Sequence, residues 1–401
     1  MPRTLWFIVA LLVLISCQPA SSSPATPTAP PTQTPTPTLS RLPPTLDDFW
    51  DGAAHFTVEI DDSGLPMGES ETLIMSNGEW WSYVHASQRS AGVHDPCGAP
   101  VEFPGCVVIY KSSDTGRHFT LAQPAVCLFA CQTCPCDADI DLTNQQQYPR
   151  VAAFGQGKNR TYYMVYEHGA KVFLRHSPDG LAWSDAEQIA ITGIWNLWYR
   201  ECAPEESIGP HPFVPYSYEC LSGAPPGIIV EDTGGDSADA AQIYVFVAMG
   251  QNPGHLGCFV GNLNQPGTYF ARCRNNPLVN GAQDYGPANV VGATANAYFD
   301  FRTISSAEVM QVKGRYYAFY EGIRGPGPND PGDSQFGLGL ASSMTNEVDG
   351  PWEKFGHNPI LVDVPGNIGL GHADVVVHQD VTYLYTSLDG LKRSRLKLVW
   401  R

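Results

Sequence analysis

Five stretches of the chain repeat one pattern of apolar and polar positions. Each has a short apolar run, a polar turn and a second run rich in aromatic residues. They span 71–87 (ETLIMSNGEWWSYVHAS), 149–169, 226–250, 307–322 (AEVMQVKGRYYAFYEG) and 373–390. Each reads as two antiparallel strands joined by a polar turn. The anchor aromatics Trp80, Tyr162, Tyr244, Tyr316 and Tyr383 recur about 67 to 82 residues apart. That interval has room for a four-stranded sheet and a long insertion. A sheet of this kind cannot bury both of its faces alone, whereas radial stacking of several sheets buries them and leaves only short edges. The predicted fold is therefore all-β, a five-bladed β-propeller over residues 46–401. The segment His55–Ile60 is placed to add the strand that closes the ring. No long stretch carries helical periodicity.

Composition narrows the partners. Gly 39, Pro 34 and 44 aromatics (9 Trp, 18 Tyr, 17 Phe) fit many short strands and turns. With 23 Lys+Arg against 40 Asp+Glu, the net charge is −17. Nucleic acid is thereby excluded as a partner, because phosphate binding needs a basic footprint. Neutral or cationic ligands suit such a surface.

Residues 1–17 read MPRTLWFIVALLVLISC. One basic residue, Arg3, precedes an apolar run from Leu5 to Ile15, too short for a ~20-residue membrane helix and of the length of a signal-peptide core. The ending Leu14-Ile15-Ser16-Cys17 resembles the lipobox of bacterial lipoproteins, which implies cleavage before Cys17 and acylation of its thiol. Residues 18–45 are almost wholly Pro, Thr, Ser and Ala, a semi-rigid spacer that buries no core. The expected location is the cell envelope or cell surface, with the membrane as partner through the lipid. Setting Cys17 aside leaves ten of the 11 cysteines, an even number in an exported chain. Neighbours in sequence pair as Cys97–Cys106, Cys202–Cys220 and Cys258–Cys273. The cluster Cys127, Cys131, Cys134 and Cys136 supplies two more bridges or, as the alternative, a zinc site.

In a propeller the innermost strand of each blade begins near the axis, so residues at the repeat starts converge on one funnel. Those starts carry Glu69 and Glu71, Tyr148 and Arg150, Pro225 and Pro226, Glu308, and His372 and Asp374. Glycoside hydrolysis needs a carboxylic acid to protonate the leaving oxygen and a second carboxylate as base or nucleophile. Like charges crowded on a shared axis raise one pKa, which suits the acid. Two further stretches, Ser112–Phe119 and Ser177–Trp183, resemble Asp boxes, turns in which a carboxylate accepts backbone N–H groups and glycine takes a positive φ. Asp114 and Asp179 are accordingly read as structural.

The stretch from Ala307 through Gly314-Arg315-Tyr316-Tyr317 to Phe319-Tyr320-Glu321-Gly322 resembles a blade of the five-bladed glycoside hydrolases, broadly families 43, 32 and 130. So do Gly339–Ser343, Gly350–Lys354, Asn358–Leu361 and the entry Gly371-His372-Ala373-Asp374. The resemblance covers roughly residues 299–390 well and the first three blades loosely. It implies a carbohydrate-active protein acting on oligosaccharide or polysaccharide, with Glu308 as general acid. No cofactor is required, although a calcium or other ion at the axis, bound through His372, occurs in such families. The Asp-Pro that carries the base in family 43 is missing from the first blade. The candidates for that role are Asp374, Glu71 and Asp232, in that order, and Arg150, His372, Tyr148 and Asp232 are candidates for binding sugar. Trp195, Trp198 and Tyr199 fit either sugar stacking or core packing.

Each residue also has a plainer reading: Glu308 hydrogen-bonded to a neighbouring blade, Arg150 pinning blades together, His372 and Asp374 shaping a turn, Glu69 and Glu71 solvated. The expected function is a surface glycosidase; the alternative is a glycan- or partner-binding propeller without catalysis. A sialidase-like hydrolase is weaker still, because that chemistry needs three clustered arginines.

Overall fold

The computed structural model describes residues 41–66, 69–86, 106–126, 147–155, 159–168, 171–189, 216–221, 226–232, 241–251, 254–262, 270–281, 299–300, 303–324, 335–362, 370, 372–389 and 392–401. The apolar leader, Cys17 and nearly all of the Pro/Thr-rich segment lie outside them. So do Trp195, Trp198 and Tyr199, Cys97, Cys127, Cys131, Cys134, Cys136 and Cys202, and the side chains of Cys106, Cys220 and Asp232.

The repeats fold as five separate antiparallel sheets within residues 42–401. Blade one runs Ser70–Ile74, Trp80–Ala86, Cys106–Ser112, Thr120–Val126, and blade two Gln147–Phe154, Thr161–His168, Lys171–Ser177, Glu187–Gln188. Blade three is built on Gly227–Asp232, Ala241–Gln251 and His255–Asn262, with Ala271–Arg272 and Val279–Asn280 both pairing along the third strand. Blade four runs Thr303–Val312, Arg315–Arg324, Gln335–Ser343, with Trp352–Lys354 and Leu361–Val362 outermost. Blade five is assembled from both ends of the folded region. Asp374–His378, Val381–Ser387 and Arg393–Trp400 are completed by Ala54–Ile60, in register from Ala54 opposite Trp400 to Ile60 opposite Arg395. The closing strand expected at His55–Ile60 is therefore present.

Alternation puts successive side chains on opposite faces of a strand, and both faces of every blade are apolar because both are covered. The result is five buried clusters, one in each seam between neighbouring blades. Tyr83 and Ile109 meet Met164 and Tyr166 between blades one and two. Leu174 meets Val245 and Phe259 between two and three, and Phe246 meets Ala318 and Tyr320 between three and four. Phe319 and Leu340 meet Leu384 and Leu396 between four and five, and Tyr385 meets Trp80 and Phe119 between five and one. Each large apolar side chain so buried contributes roughly 1.5–3 kcal/mol. A one-turn helix, Leu46–Trp50, adds Leu46 and Phe49 to the seam of blades four and five; Thr45 and Asp48 close its first turn as a reciprocal cap.

Two turns lock adjacent blades. In blade one, Asp114 Oδ1 accepts the His118 N–H (2.9 Å) and Gly116 takes φ +76°. The Gly116 carbonyl receives the Tyr385 hydroxyl of blade five at 2.6 Å. In blade two, Asp179 Oδ1 accepts the Leu181 and Ala182 N–H groups, both at 2.8 Å, and the Gly180 carbonyl receives the Tyr83 hydroxyl of blade one. A Cβ at either glycine would run into the tyrosine hydroxyl that docks there. The expected bridge Cys258–Cys273 is formed in blade three, with the Cα atoms 5.3 Å apart.

Candidate functional site

Residues from four innermost strands meet at the axis. In Ser70–Ile74 the alternation sends Ser70 and Thr72 toward blade five and Glu71, with Leu73, toward blade two. Arg150 of blade two answers Glu71: its Nη1 donates to Glu71 Oε2 at 3.0 Å and to Glu308 Oε2 of blade four at 2.9 Å. The same nitrogen reaches the Ser70 carbonyl at 3.3 Å. All three side chains are buried, at 6% (Glu71), 8% (Glu308) and 1% (Arg150) exposure. The plainer reading of Glu71 as solvated does not hold, because its side chain is buried against the arginine. Both strands that deliver the distal partners break register at the site, between Gln147 and Arg150 and between Ile304 and Ala307. Such bulges re-aim side chains near a site.

One guanidinium faces two carboxyl groups in a dry environment. Burial raises Glu308 well above the ordinary carboxylate range, and the neighbouring charge of Glu71 raises it further against the pull of Arg150. Burial also raises Glu71, aided by the charge of Asp374; the Arg150 charge and the hydrogen bond with Glu308 oppose it and leave Glu71 at about 7. Their mutual hydrogen bond favours Glu308 as donor and Glu71 as acceptor. At neutral pH the pair therefore carries a proton, held between two interacting carboxyl groups of which Glu308 is the more strongly raised.

Asp374 plays a different part. Its Oδ2 accepts the Ser70 and Thr72 hydroxyls (2.8 and 2.7 Å) and its Oδ1 the Thr72 N–H (3.0 Å). It is fully buried. Three hydrogen bonds to blade one occupy both oxygens, so Asp374 stitches the first strand of blade five to that of blade one.

A second cluster lies beside the first. Nε2 of His372 is 3.0 Å from Glu321 Oε2 and 3.3 Å from Ser305 Oγ, and its ring centroid is 5.1 Å from that of Tyr148. Nδ1 of His372 is buried, makes no hydrogen bond among the described residues and lies 3.9 Å from Glu69 Oε1. Glu69 in turn meets His85 Nδ1 at 3.0 Å. Burial alone would raise Glu69, but the His85 hydrogen bond and the charges of His372 and His85 outweigh it and leave Glu69 at about 2. Tyr148 holds φ +56°, which is rare for a non-glycine residue and is a strain that clusters at functional sites. Arg393 anchors the cluster from below, donating to the His372 and Tyr385 carbonyls at 2.8 and 2.9 Å.

Among the described residues no group of three or more His, Cys, Asp and Glu side chains is arranged to hold a metal ion. No chemistry is routed through the axial ion that the resemblance implies. The sequence reading missed His85 and Glu321. Both sit on second strands, whereas the residues expected to converge on the axis lie at strand starts. Their signal was a charged or polar residue at an inward position of an aromatic run, as in Phe319-Tyr320-Glu321.

No protein-family model matches the chain, and no curated protein matches it. Solved structures do. The catalytic domain of a family 62 α-L-arabinofuranosidase from Coprinopsis cinerea is 13% identical, covering 86% of this chain and 96% of its own, at a TM-score of 0.47. An exo-1,5-α-L-arabinanase from a bovine ruminal metagenomic library is 11% identical, covering 85% and 95%, at 0.44. A Cellvibrio cellulosa α-L-arabinanase solved with arabinohexaose is 17% identical, covering 84% and 91%, at 0.43.

Proposed function

We propose that the propeller hydrolyses O-glycosidic bonds at its axis, with Glu308 as general acid and Glu71 as the second carboxylate. The observation that carries this reading is the buried Glu71–Arg150–Glu308 arrangement, in which burial and like charge keep a proton on Glu308. A neutral carboxylic acid at neutral pH is the form that protonates a leaving oxygen. Glu71, the less raised of the two and beside Arg150, is the one that attacks or activates water once ionised. Glu71 replaces Asp374 in this role, because the oxygens of Asp374 are committed to Ser70 and Thr72. The Glu71 and Glu308 oxygens share one arginine nitrogen, so they lie no farther apart than those two hydrogen bonds laid end to end. That bound falls below the ~6.5–9.5 Å of inverting pairs. In the second cluster, Tyr148 and His372 offer a ring face and polar atoms for sugar hydroxyls.

The proposal includes attachment to the cell envelope through lipid on Cys17. One experiment addresses both parts: a glycan hydrolysis screen on separated membrane and soluble fractions, comparing wild type, Glu308→Gln and Cys17→Ser. Activity is expected to fall about 10²–10⁴-fold in Glu308→Gln and to move to the soluble fraction in Cys17→Ser. Equal activity of Glu308→Gln and wild type removes Glu308 from the mechanism, and unchanged partition removes the anchor.

A second reading is a propeller that holds glycans without cutting them. Arg150 favours it, because a guanidinium bonded to both carboxylates is also a blade pin. Retention on polysaccharide with no turnover of any glycan in the screen would select it.

A further inference from the structure

Away from the axis, the outermost strands of blades three and four enclose a cavity of about 460 Å³. One wall is the loop from Arg274 to Asn280, ending in the strand Val279–Asn280; the other is Pro351 and the strand Trp352–Lys354. Three strand spacings of ~4.8 Å, roughly 14 Å in all, separate it from the first strand of blade four. It is therefore distinct from the axial cluster.

The walls are held before any ligand arrives. The Cys258–Cys273 bridge fixes the start of the loop. The Asn276 side chain accepts the Cys258 N–H and donates to the Cys258 carbonyl, both at 2.7 Å. Asn275 Nδ2 donates to the Asp349 carbonyl at 2.7 Å, and Arg274 pairs with Glu347 and Asp349 across the gap. On the facing strand, alternation puts Trp352 and Lys354 on one side. The Trp352 Nε1–H is spent on the Val348 carbonyl at 2.8 Å, and the Lys354 ammonium on Asp300 at 2.7 Å.

Both cations of the cleft are thus neutralised from within the protein, which removes the attraction for a phosphate or carboxylate ligand. What remains, beside the Glu353 carboxylate that faces Arg315 at 3.6 Å, is a half-buried indole, the exposed amide of Asn275 and loop backbone, in a volume inside the ~300–1,000 Å³ range of ligand pockets. A ring with an apolar face and hydroxyl edges matches such walls. We infer that this cleft is a second binding site, for a short neutral oligosaccharide, that holds glycan on the flank of the propeller without taking part in chemistry.

The test is calorimetric titration of the full chain carrying Glu308→Gln with arabinohexaose, xylohexaose and cellohexaose. Two sites are expected for at least one of them. One site should weaken about 3–10-fold or vanish in Trp352→Ala, and likewise in Asn275→Arg, which fills the mouth from an exposed position and spares the core. In the chain with Glu308 intact, both substitutions should leave kcat and KM for a short substrate unchanged. A single site untouched by either substitution in folded variants overturns the inference, as does a fall in kcat or the absence of binding by all three sugars. The axial reading fails separately, if Glu308→Gln keeps full activity while the flank site still titrates.

Discussion

Two regions of the innermost strands both bury carboxylates, and they treat them in opposite ways. At the seam of blades five and one, Asp374 receives two hydroxyls and one amide N–H, all neutral donors from blade one. A few ångströms along the axis, Glu71 and Glu308 share one guanidinium and repel each other. Neutral donors satisfy the oxygens of a buried carboxylate, and that arrangement holds a structure together. Crowding with too little positive charge stores a proton, and that arrangement can do chemistry. Burial does not separate the two; the identity of the donors does.

The sharpest way to break the comparison is to remove the seam carboxylate. Asp374→Leu would leave the Ser70 and Thr72 donors buried without an acceptor, at a cost of about 3–5 kcal/mol. Denaturant unfolding is the measurement. A stability within experimental error of wild type would deny Asp374 its structural part. Glu308→Gln, by contrast, should keep or raise stability at neutral pH while activity falls, because the amide removes the cost of protonating that carboxyl on folding.

A smaller effect sharpens the axial side. Glu308 must be protonated to act as an acid, so activity is lost as pH rises through its pKa. The Glu71 charge is part of what raises that pKa. In Glu71→Gln the residual activity should therefore decline at a lower pH than in wild type. An alkaline limb that stays in place, or moves up, would mean that Glu71 does not act on Glu308.

Much of this was legible in the chain, for identifiable reasons. The aromatic anchors and the alternation around them fixed the number of blades, since every blade face is buried and every strand must show it. The closing strand at His55–Ile60 followed from the same pattern. Glu308, Arg150 and Glu71 were found because strand starts converge on an axis. Their grouping was not legible, because it depends on which face each side chain takes at a bulge, and a one-residue change of register reverses that. The role of Asp374 was hidden for another reason: Ser70 and Thr72 lie some 300 residues earlier, at 304 and 302 positions' remove. A carboxylate at a strand start reads the same whether its donors are neutral or absent. The flank cleft gave no signal in sequence, being formed by outer strands of only two or three residues.

The central claim is that the buried Glu71–Glu308 pair holds a proton at neutral pH, with Glu308 the more strongly raised of the two. Infrared spectroscopy of the folded protein across the pH range measures this directly, through the band of a protonated carboxyl group. The account expects that band to persist at pH 7 in wild type and to be weaker at pH 7 in Glu308→Gln. A wild-type spectrum at pH 7 with no protonated carboxyl, or one unchanged by Glu308→Gln, would contradict it.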